Sequence, residues 1–198
     1  MAGRLGAAAP ARHWHPIEDG RIQCDLCPRE CRLHEGQAGF CSVRVREGDQ
    51  IRLGVWGRTS GFAVDPVEKK PLYHFLPGSR VYSFGTAGCN LACTHCQNWE
   101  LSRGRIETGT REAGPPSGIA KAAERQGCES IAFTYNEPVV FLEYAIDVAL
   151  ACRERGLHSV AVTNGYVCAA PRREFFEVLD AANVDLKSFD DRVYQRIT

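Results

Sequence analysis

The chain has 198 residues, and its 24 Lys and Arg balance 24 Asp and Glu, so the formal net charge is zero. This balance argues against a main partner that is nucleic acid or a membrane surface, and no stretch is apolar for long enough to span a bilayer. Ten cysteines are far more than a domain of this size ordinarily carries. The N-terminal residues lack the strongly apolar stretch of a secretory signal. We therefore expect a cytoplasmic protein whose clustered cysteines bind metal or iron–sulfur clusters rather than form disulfides.

The first part of the sequence predicts three segments. Residues 1–20 are expected to be a flexible leader, and residues 21–78 a cysteine-rich accessory module with a connecting segment. Short strands are predicted at 43–45 and 51–53, and the proline-punctuated residues 61–78 are predicted to connect to the next domain. Four cysteines of the module follow a C-x2-C-x3-C-x9-C spacing, namely Cys24, Cys27, Cys31 and Cys41. Four thiolates suit either a zinc ion that staples the module or an auxiliary [4Fe-4S] cluster that relays electrons, and the sequence leaves both open.

From residue 79 to residue 198, predicted strands and helices alternate. The apolar runs predict strands at 81–86, 130–136, 158–166 and 182–189. The intervening patterns predict helices at 115–127, 138–155, from Pro171 onward and at 190–198. Alternation of this kind implies an α/β fold with a parallel sheet covered by helices. Since the last predicted helix reaches Thr198 without a cap, we expect a C-terminally truncated fragment of a longer α/β barrel.

Three further cysteines follow the first of these strands at C-x3-C-x2-C spacing, namely Cys89, Cys93 and Cys96. A structural zinc site needs four protein ligands, and a ferredoxin-type cluster has four cysteines. Three thiolates leave one iron of a four-iron cluster open to an external ligand. The loop lies at the carboxyl end of its strand, where α/β folds place active sites. The alternative is a structural zinc knuckle that takes a fourth ligand from His95 or a distant cysteine.

The motifs DPVEKKPLYHFLPGS, GCNLACTHCQNW, TYNEP and TNGY follow one another in the chain. With them the sequence resembles the radical S-adenosylmethionine (SAM) superfamily, and more narrowly the AmmeMemoRadiSam-system enzymes, relatives of the pyruvate formate-lyase activating enzymes. The resemblance implies a partial (β/α)6 barrel and a [4Fe-4S] cluster ligated by the three cysteines of the loop. It also implies that SAM chelates the fourth iron and is cleaved reductively to a 5′-deoxyadenosyl radical, which abstracts hydrogen from an unknown substrate.

The resemblance further implies which residues contact SAM. In TYNEP, Asn136 or Glu137 is expected to meet the SAM amino group, because a charged acceptor anchors an ammonium donor. In TNGY, Asn164 would contact SAM or its ribose. His95 stands where the superfamily has an aromatic residue beside the adenine. Lys187, in an Asp-Leu-Lys motif, is placed near the SAM carboxylate, and a salt bridge within that motif is the equal alternative.

The sequence thus predicts an activating-enzyme-like radical SAM oxidoreductase. Its expected partners are a low-potential electron donor of the flavodoxin or ferredoxin type and a protein substrate or other proteins of the AmmeMemoRadiSam system. One alternative is a glycyl-radical-enzyme activase that acts on a protein. An alternative of another class is a non-catalytic scaffold stapled by zinc.

Overall fold

The computed structural model describes residues 9–198, so the first eight residues of the predicted leader lie outside the described residues. The strands, in chain order, are β1 (Ala9–Pro10), β2 (Trp14–Pro16), β3 (Ile22–Cys24), β4 (Arg32–Leu33), β5 (Arg44–Glu47), β6 (Gln50–Leu53), β7 (Arg58–Thr59), β8 (Gly61–Pro66), β9 (Arg80–Gly85), β10 (Arg111–Glu112), β11 (Ser130–Phe133), β12 (His158–Thr163) and β13 (Ala181–Val184). The helices are α1 (Trp99–Ser102), α2 (Ile106–Gly109), α3 (Pro116–Arg125), α4 (Leu142–Arg153), α5 (Ala169–Phe176) and α6 (Asp191–Ile197). Two short 3-10 turns cover Val67–Lys69 and Pro138–Phe141. Within this part of the chain, no helix combines the length and the apolar character that crossing a membrane requires.

The central element is a five-stranded sheet with the order β13-β12-β11-β9-β8. Strands β9, β11, β12 and β13 are parallel to one another, and β8 pairs antiparallel with β9. The predicted alternation of strands and helices is therefore confirmed. In the described residues the sheet stays open, with β8 and β13 at its two edges. Parallel strands of this kind bring their carboxyl ends to one side of the sheet, where the functional loops lie.

The strands predicted at 130–136 and 158–166 end earlier, at Phe133 and Thr163, and two further predictions of secondary structure were wrong. Residues 61–66, predicted to be part of a connecting segment, form the edge strand β8. The prediction failed because Pro66 reads as a strand breaker, yet proline is tolerated at the end of an edge strand, where its missing N–H is not needed. The fourth parallel strand ends at Val184 instead of continuing to 189, so Asp185 and Lys187 lie in the loop after it.

The N-terminal strands form small antiparallel sheets beside the central one. Their orders are β1-β6-β5 and β2-β3-β4, and β7 pairs with β10. Residues 9–10 and 14–16, inside the predicted leader, are thus paired strands. The apolar side chains of this region, such as Ile22 and Ile51, belong to the same buried cluster as Phe84 of β9 and Phe133 of β11. The N-terminal strands are therefore packed onto the central sheet through a shared core.

A buried ion pair fastens the N-terminal strands to α4. The guanidinium of Arg44 donates to both carboxylate oxygens of Glu143, at 2.8 and 3.0 Å, and their side chains are 1% and 6% exposed. Arg44 also donates to the carbonyl of Arg12 at 2.5 Å, and the N–H of Arg12 donates to Glu143 at 2.7 Å. Bidentate geometry and additional hydrogen bonds are what allow two charges to stay buried.

Replacing Glu143 by glutamine leaves the Arg44 guanidinium buried without a counter-charge. We expect Glu143→Gln to lower the free energy of unfolding by about 3–5 kcal/mol. The control is Glu124→Gln, because Glu124 pairs with Arg155 where their side chains are 50% and 35% exposed. That change should lower it by at most about 1 kcal/mol. Urea unfolding of both variants makes the comparison, and equal effects would contradict the assignment of the Arg44–Glu143 pair as the fastener.

Candidate active site at the carboxyl ends of the parallel strands

A cavity of about 340 Å³ opens where β9, β11 and β12 end. The three cysteines of the loop after β9 line it, and so does every residue that the sequence predicted to contact SAM. These eight residues are Cys89, Cys93, Cys96, His95, Asn136, Glu137, Asn164 and Lys187. The fold thus brings together groups that are up to 98 positions apart in the sequence. Their individual roles remain predictions from the sequence.

Asn136 holds the start of the cysteine loop. Its side-chain oxygen accepts the N–H of Thr86 at 2.9 Å, and its amide nitrogen donates to the carbonyls of Ala87 and Gly88 at 3.2 and 2.7 Å. The residue is only 6% exposed. Its amide is therefore occupied by the backbone between β9 and Cys89, and fixes where that loop leaves the sheet.

Glu137 ties the end of β11 to the end of β12. Its carboxylate accepts the hydroxyl of Thr163 at 2.6 Å and the N–H groups of Asn164 and Val139 at 2.7 and 3.1 Å. The residue is 3% exposed, and burial raises its pKa to about 6 against the opposing effect of these three donors. Glu137 thus places a carboxylate at the cavity wall whose proton affinity is increased.

The remaining predicted contact residues form the rim. The side-chain amide of Asn164 donates to that of Asn90 at 3.0 Å, next to Cys89 in the sequence. Lys187 donates to Asp185 at 2.8 Å, so the salt bridge weighed as an alternative is present. His95 is exposed at the cavity mouth. These side chains surround the cavity with amide, ammonium and imidazole groups.

The donor set of the three cysteines fits an iron–sulfur cluster. All ten cysteines of the chain are free thiols, and these three share one cavity. Burial raises the pKa of Cys89 to about 11 and also raises that of Cys93, where the ammonium of Lys187 acts in the opposite direction. Burial thus favours the protonated form of these two thiols, whereas coordination to a metal deprotonates a thiol.

Among the residues that the structure describes, no group of three or more His, Cys, Asp or Glu side chains is placed to hold a metal ion. The fit of the three cysteines to a cluster therefore rests on the chemistry and number of their thiols, since a [4Fe-4S] cluster binds each thiolate through a different iron.

Sequence reasoning missed a buried polar group behind the cavity. Tyr135, which lines the cavity, donates its hydroxyl to Asp65 at 3.1 Å, and Lys70 donates to the same carboxylate oxygen at 2.8 Å. Asp65 and Lys70 are 6% and 3% exposed. The carbonyl of Tyr135 accepts the side-chain amide of Asn98, two residues after Cys96. Charged residues in the motif DPVEKKPLYHF were the available signal, but nothing local showed which residue they would face.

The comparisons with known proteins agree with this geometry. The family model described as the radical SAM superfamily matches residues 84–198, more than half of the chain. The chain therefore belongs to the radical SAM superfamily. The match begins in β9, directly before the cysteine loop, and includes every residue that lines the cavity.

Three relatives show how far the similarity extends. An uncharacterised protein of Methanocaldococcus jannaschii is 36% identical over 181 residues, which cover 91% of this chain and 54% of that protein. The pyruvate formate-lyase-activating enzyme of Clostridium pasteurianum is 29% identical, over 62% of this chain and 51% of the enzyme. The pyruvate formate-lyase 1-activating enzyme of Escherichia coli K12 is 27% identical, over 61% of this chain and 50% of the enzyme. The chain thus spans about half the length of the curated relatives it matches.

The raised pKa of Glu137 makes stability depend on pH. The folded protein binds this proton more tightly than the unfolded chain, whose pKa is near 4.5. The resulting stabilisation is fully present below the unfolded value and is lost as the pH rises through about 6. As the pH rises between these limits, we expect the free energy of unfolding of wild type to fall by up to about 2 kcal/mol relative to that of Glu137→Gln, which cannot titrate.

Urea unfolding of wild type and Glu137→Gln across this pH range measures that difference. The control is Glu107→Gln at an exposed carboxyl, which should leave the pH profile of wild type unchanged. A difference between wild type and Glu137→Gln that stays constant, or grows with pH, would show that Glu137 is not a buried acid with a raised pKa.

Gly88 brings the cysteine loop into contact with the N-terminal strands. Its φ is +85°, and a Cβ atom built on it would lie 2.1 Å from the carbonyl oxygen of Cys41. Gly78 has a similar φ of +79° but open space around it. Substituting each of these two glycines in turn separates the cost of a side chain at positive φ from the cost of a clash with the Cys41 carbonyl.

We expect Gly88→Ala to lower the free energy of unfolding by about 3 kcal/mol or more, because strain at positive φ adds to a backbone clash. Gly78→Ala should lower it by only about 1–2 kcal/mol, from the φ effect alone. Denaturant unfolding measures both variants. If Gly88→Ala proves no worse than Gly78→Ala, the close contact with Cys41 is absent in solution.

Proposed function

We propose that this chain binds a [4Fe-4S] cluster and SAM in its strand-end cavity and cleaves SAM reductively as a radical SAM enzyme. The observation that carries the proposal is that three free cysteines and five polar side chains line one cavity at the strand ends of a radical SAM family member. Residues 79–198, together with the edge strand β8, would then be the N-terminal part of a (β/α)6 barrel. Residues 1–20 would be a leader that contains β1 and β2, and residues 21–78 a cysteine-rich accessory module with a connecting segment.

Each group in the cavity has a role under this proposal. Cys89, Cys93 and Cys96 are the protein ligands, and the absence of a fourth cysteine from the cavity lining leaves room for SAM as a ligand. When bound, the cluster and SAM supply one-electron cleavage of SAM and a 5′-deoxyadenosyl radical for hydrogen abstraction.

The polar side chains would hold SAM in place. Lys187 offers an ammonium for the carboxylate of SAM while Asp185 holds it at the rim. Glu137 and Asn164 line the same cavity, and their hydrogen bonds fix the carboxylate and amide that would face the SAM amino group and ribose. Asn136 acts indirectly, because its amide is occupied by the cysteine loop. His95, exposed at the mouth, would stack on the adenine.

Activation of a glycyl-radical enzyme, with a protein as the substrate, is the second candidate function. The similarity to two pyruvate formate-lyase-activating enzymes, each matched over about half its length, supports it. The electron would come from a low-potential donor of the flavodoxin or ferredoxin type, and the reaction class would be that of an oxidoreductase. The motif DPVEKKPLYHF supports the narrower assignment to the AmmeMemoRadiSam system, whose other proteins are then the expected partners.

Anaerobic reconstitution with iron and sulfide tests the proposal. Wild type should become brown, show an electron paramagnetic resonance (EPR) signal after reduction that shifts when SAM is added, and release 5′-deoxyadenosine. Cys93→Ala should lose the SAM-dependent shift and more than about 99% of SAM cleavage, because an iron loses its protein ligand. Cys128→Ala, at a buried thiol outside the cavity, should behave like wild type.

A second variant addresses the binding of SAM. Lys187→Gln should retain the iron of wild type and bind SAM about 10-fold or more weakly, since one charged hydrogen bond is lost. Colourless wild-type protein with stoichiometric zinc, and no response to SAM, would contradict the proposed function and favour a zinc-stapled scaffold.

A further inference from the structure

The four cysteines of the N-terminal strands line a second, small cavity. They lie at the end of β3, in the loop between β3 and β4, and in the loop after β4, next to the cysteine loop that follows β9. They are Cys24, Cys27, Cys31 and Cys41. Three of them are buried and one is half-buried, and all four are free thiols. Four thiols facing one enclosed space are an unusual way to fill a core, because apolar side chains would pack it better.

Backbone donors point at these sulfurs. The N–H of Phe40 donates to the Sγ of Cys31 at 3.4 Å. Backbone N–H groups also hydrogen-bond Cys27 and Cys41, where they oppose the effect of burial on the thiol. Such N–H donors stabilise sulfur that carries negative charge, as it does when bound to a metal.

An independent observation is the guanidinium of Arg44. This side chain lines the same cavity and is 1% exposed. Its terminal nitrogens donate to Glu143 and to the carbonyl of Arg12, but its Nε has no hydrogen-bond partner among the described residues. A buried N–H group without an acceptor is rare in folded proteins. A negatively charged sulfur of a cluster bound in this cavity would accept the hydrogen bond that the Nε of Arg44 lacks.

Four thiolates can bind either a zinc ion or a [4Fe-4S] cluster. The position of these thiols beside the triad Cys89, Cys93 and Cys96 favours the cluster, because a cluster can pass an electron to a group bound there and a zinc ion cannot.

The two sets are also in direct contact. Gly88 packs against the carbonyl of Cys41, and Arg29 donates to the carbonyl of Asn90 at 2.5 Å. Because Gly88 and Cys89 are consecutive, chain geometry limits the Cα–Cα distance between Cys41 and Cys89 to at most about 10 Å. Groups bound at the two sites would lie close enough for direct exchange of an electron.

We propose that Cys24, Cys27, Cys31 and Cys41 hold a second [4Fe-4S] cluster that delivers single electrons to the site at Cys89, Cys93 and Cys96. The electron-transfer role rests on the proposed function, whereas the binding of a cluster by the four cysteines does not. In each transfer a low-potential flavodoxin- or ferredoxin-type donor is oxidised by one electron and the second cluster is reduced. That cluster is reoxidised when the electron passes to the triad site, and no bond forms or breaks.

The decisive variant removes the triad and leaves the N-terminal cysteines intact. After anaerobic reconstitution, the triple variant Cys89→Ala, Cys93→Ala, Cys96→Ala should retain about four irons and four sulfides per chain. Its reduced EPR signal should not respond to SAM. The complementary variant Cys24→Ala, Cys27→Ala should also hold about four irons, with a signal that does respond to SAM. Cys128→Ala, the control at a thiol outside both cavities, should hold about eight.

The outcomes separate this inference from the proposed function. A triple variant that binds only zinc, or no metal, would overturn the proposal of a second cluster. The proposed function of the triad would still be tested by the response of the complementary variant to SAM. If the triple variant holds its cluster and the triad never responds to SAM, the second site stands and the proposed function fails. For the relay, fully reduced wild type should show spin–spin broadening that is absent from both variants, and its absence would overturn the electron-transfer role.

Discussion

The structure depends on the way in which one pair of buried polar residues, Asn136 and Glu137, joins the ends of three parallel strands. Buried amide and carboxylate groups must be hydrogen-bonded, and here every partner except the N–H of Val139 comes from a neighbouring strand end. Asn136 holds the backbone from Thr86 to Gly88, and Glu137 holds Thr163 and Asn164. Because these bonds are directional, the loops after β9, β11 and β12 have one arrangement relative to one another, and the cavity between them has a fixed shape.

The N-terminal strands help to position the cysteine loop that Asn136 holds. The cysteine loop held by Asn136 on one side rests on Cys41 through Gly88 on the other. The N-terminal strands are in turn fastened to α4 by the buried pair of Arg44 and Glu143. Contacts thus connect the strand ends, the cysteine loop and the N-terminal strands. The two sets of cysteines lie in neighbouring parts of one packed structure.

The sequence predicted what local patterns encode. Cysteine spacing identified the loop after β9, and apolar runs located β9, β11 and β12, because buried parallel strands are continuous apolar runs. It failed for β8, where proline and glycine mask an edge strand. The prediction also failed at the end of β13, because the Asp-Leu-Lys run at 185–187 resembles a cleft-facing strand when its neighbours are unknown. The pairing of Arg44 with Glu143, 99 positions apart, has no local signature at all. Nor could the sequence show that Asn136 turns its amide towards the loop backbone, since a side-chain amide has many equivalent partners.

The central claim is that three protein thiolates leave one iron of the triad cluster open to SAM. Mössbauer spectroscopy of the anaerobically reconstituted Cys24→Ala, Cys27→Ala variant tests this most directly. The two substitutions remove the N-terminal iron site, whose signal would otherwise overlap the signal of the triad cluster. The account predicts that addition of SAM changes the signal of one iron in four and leaves the other three unchanged. A spectrum in which all irons are equivalent and insensitive to SAM would contradict it.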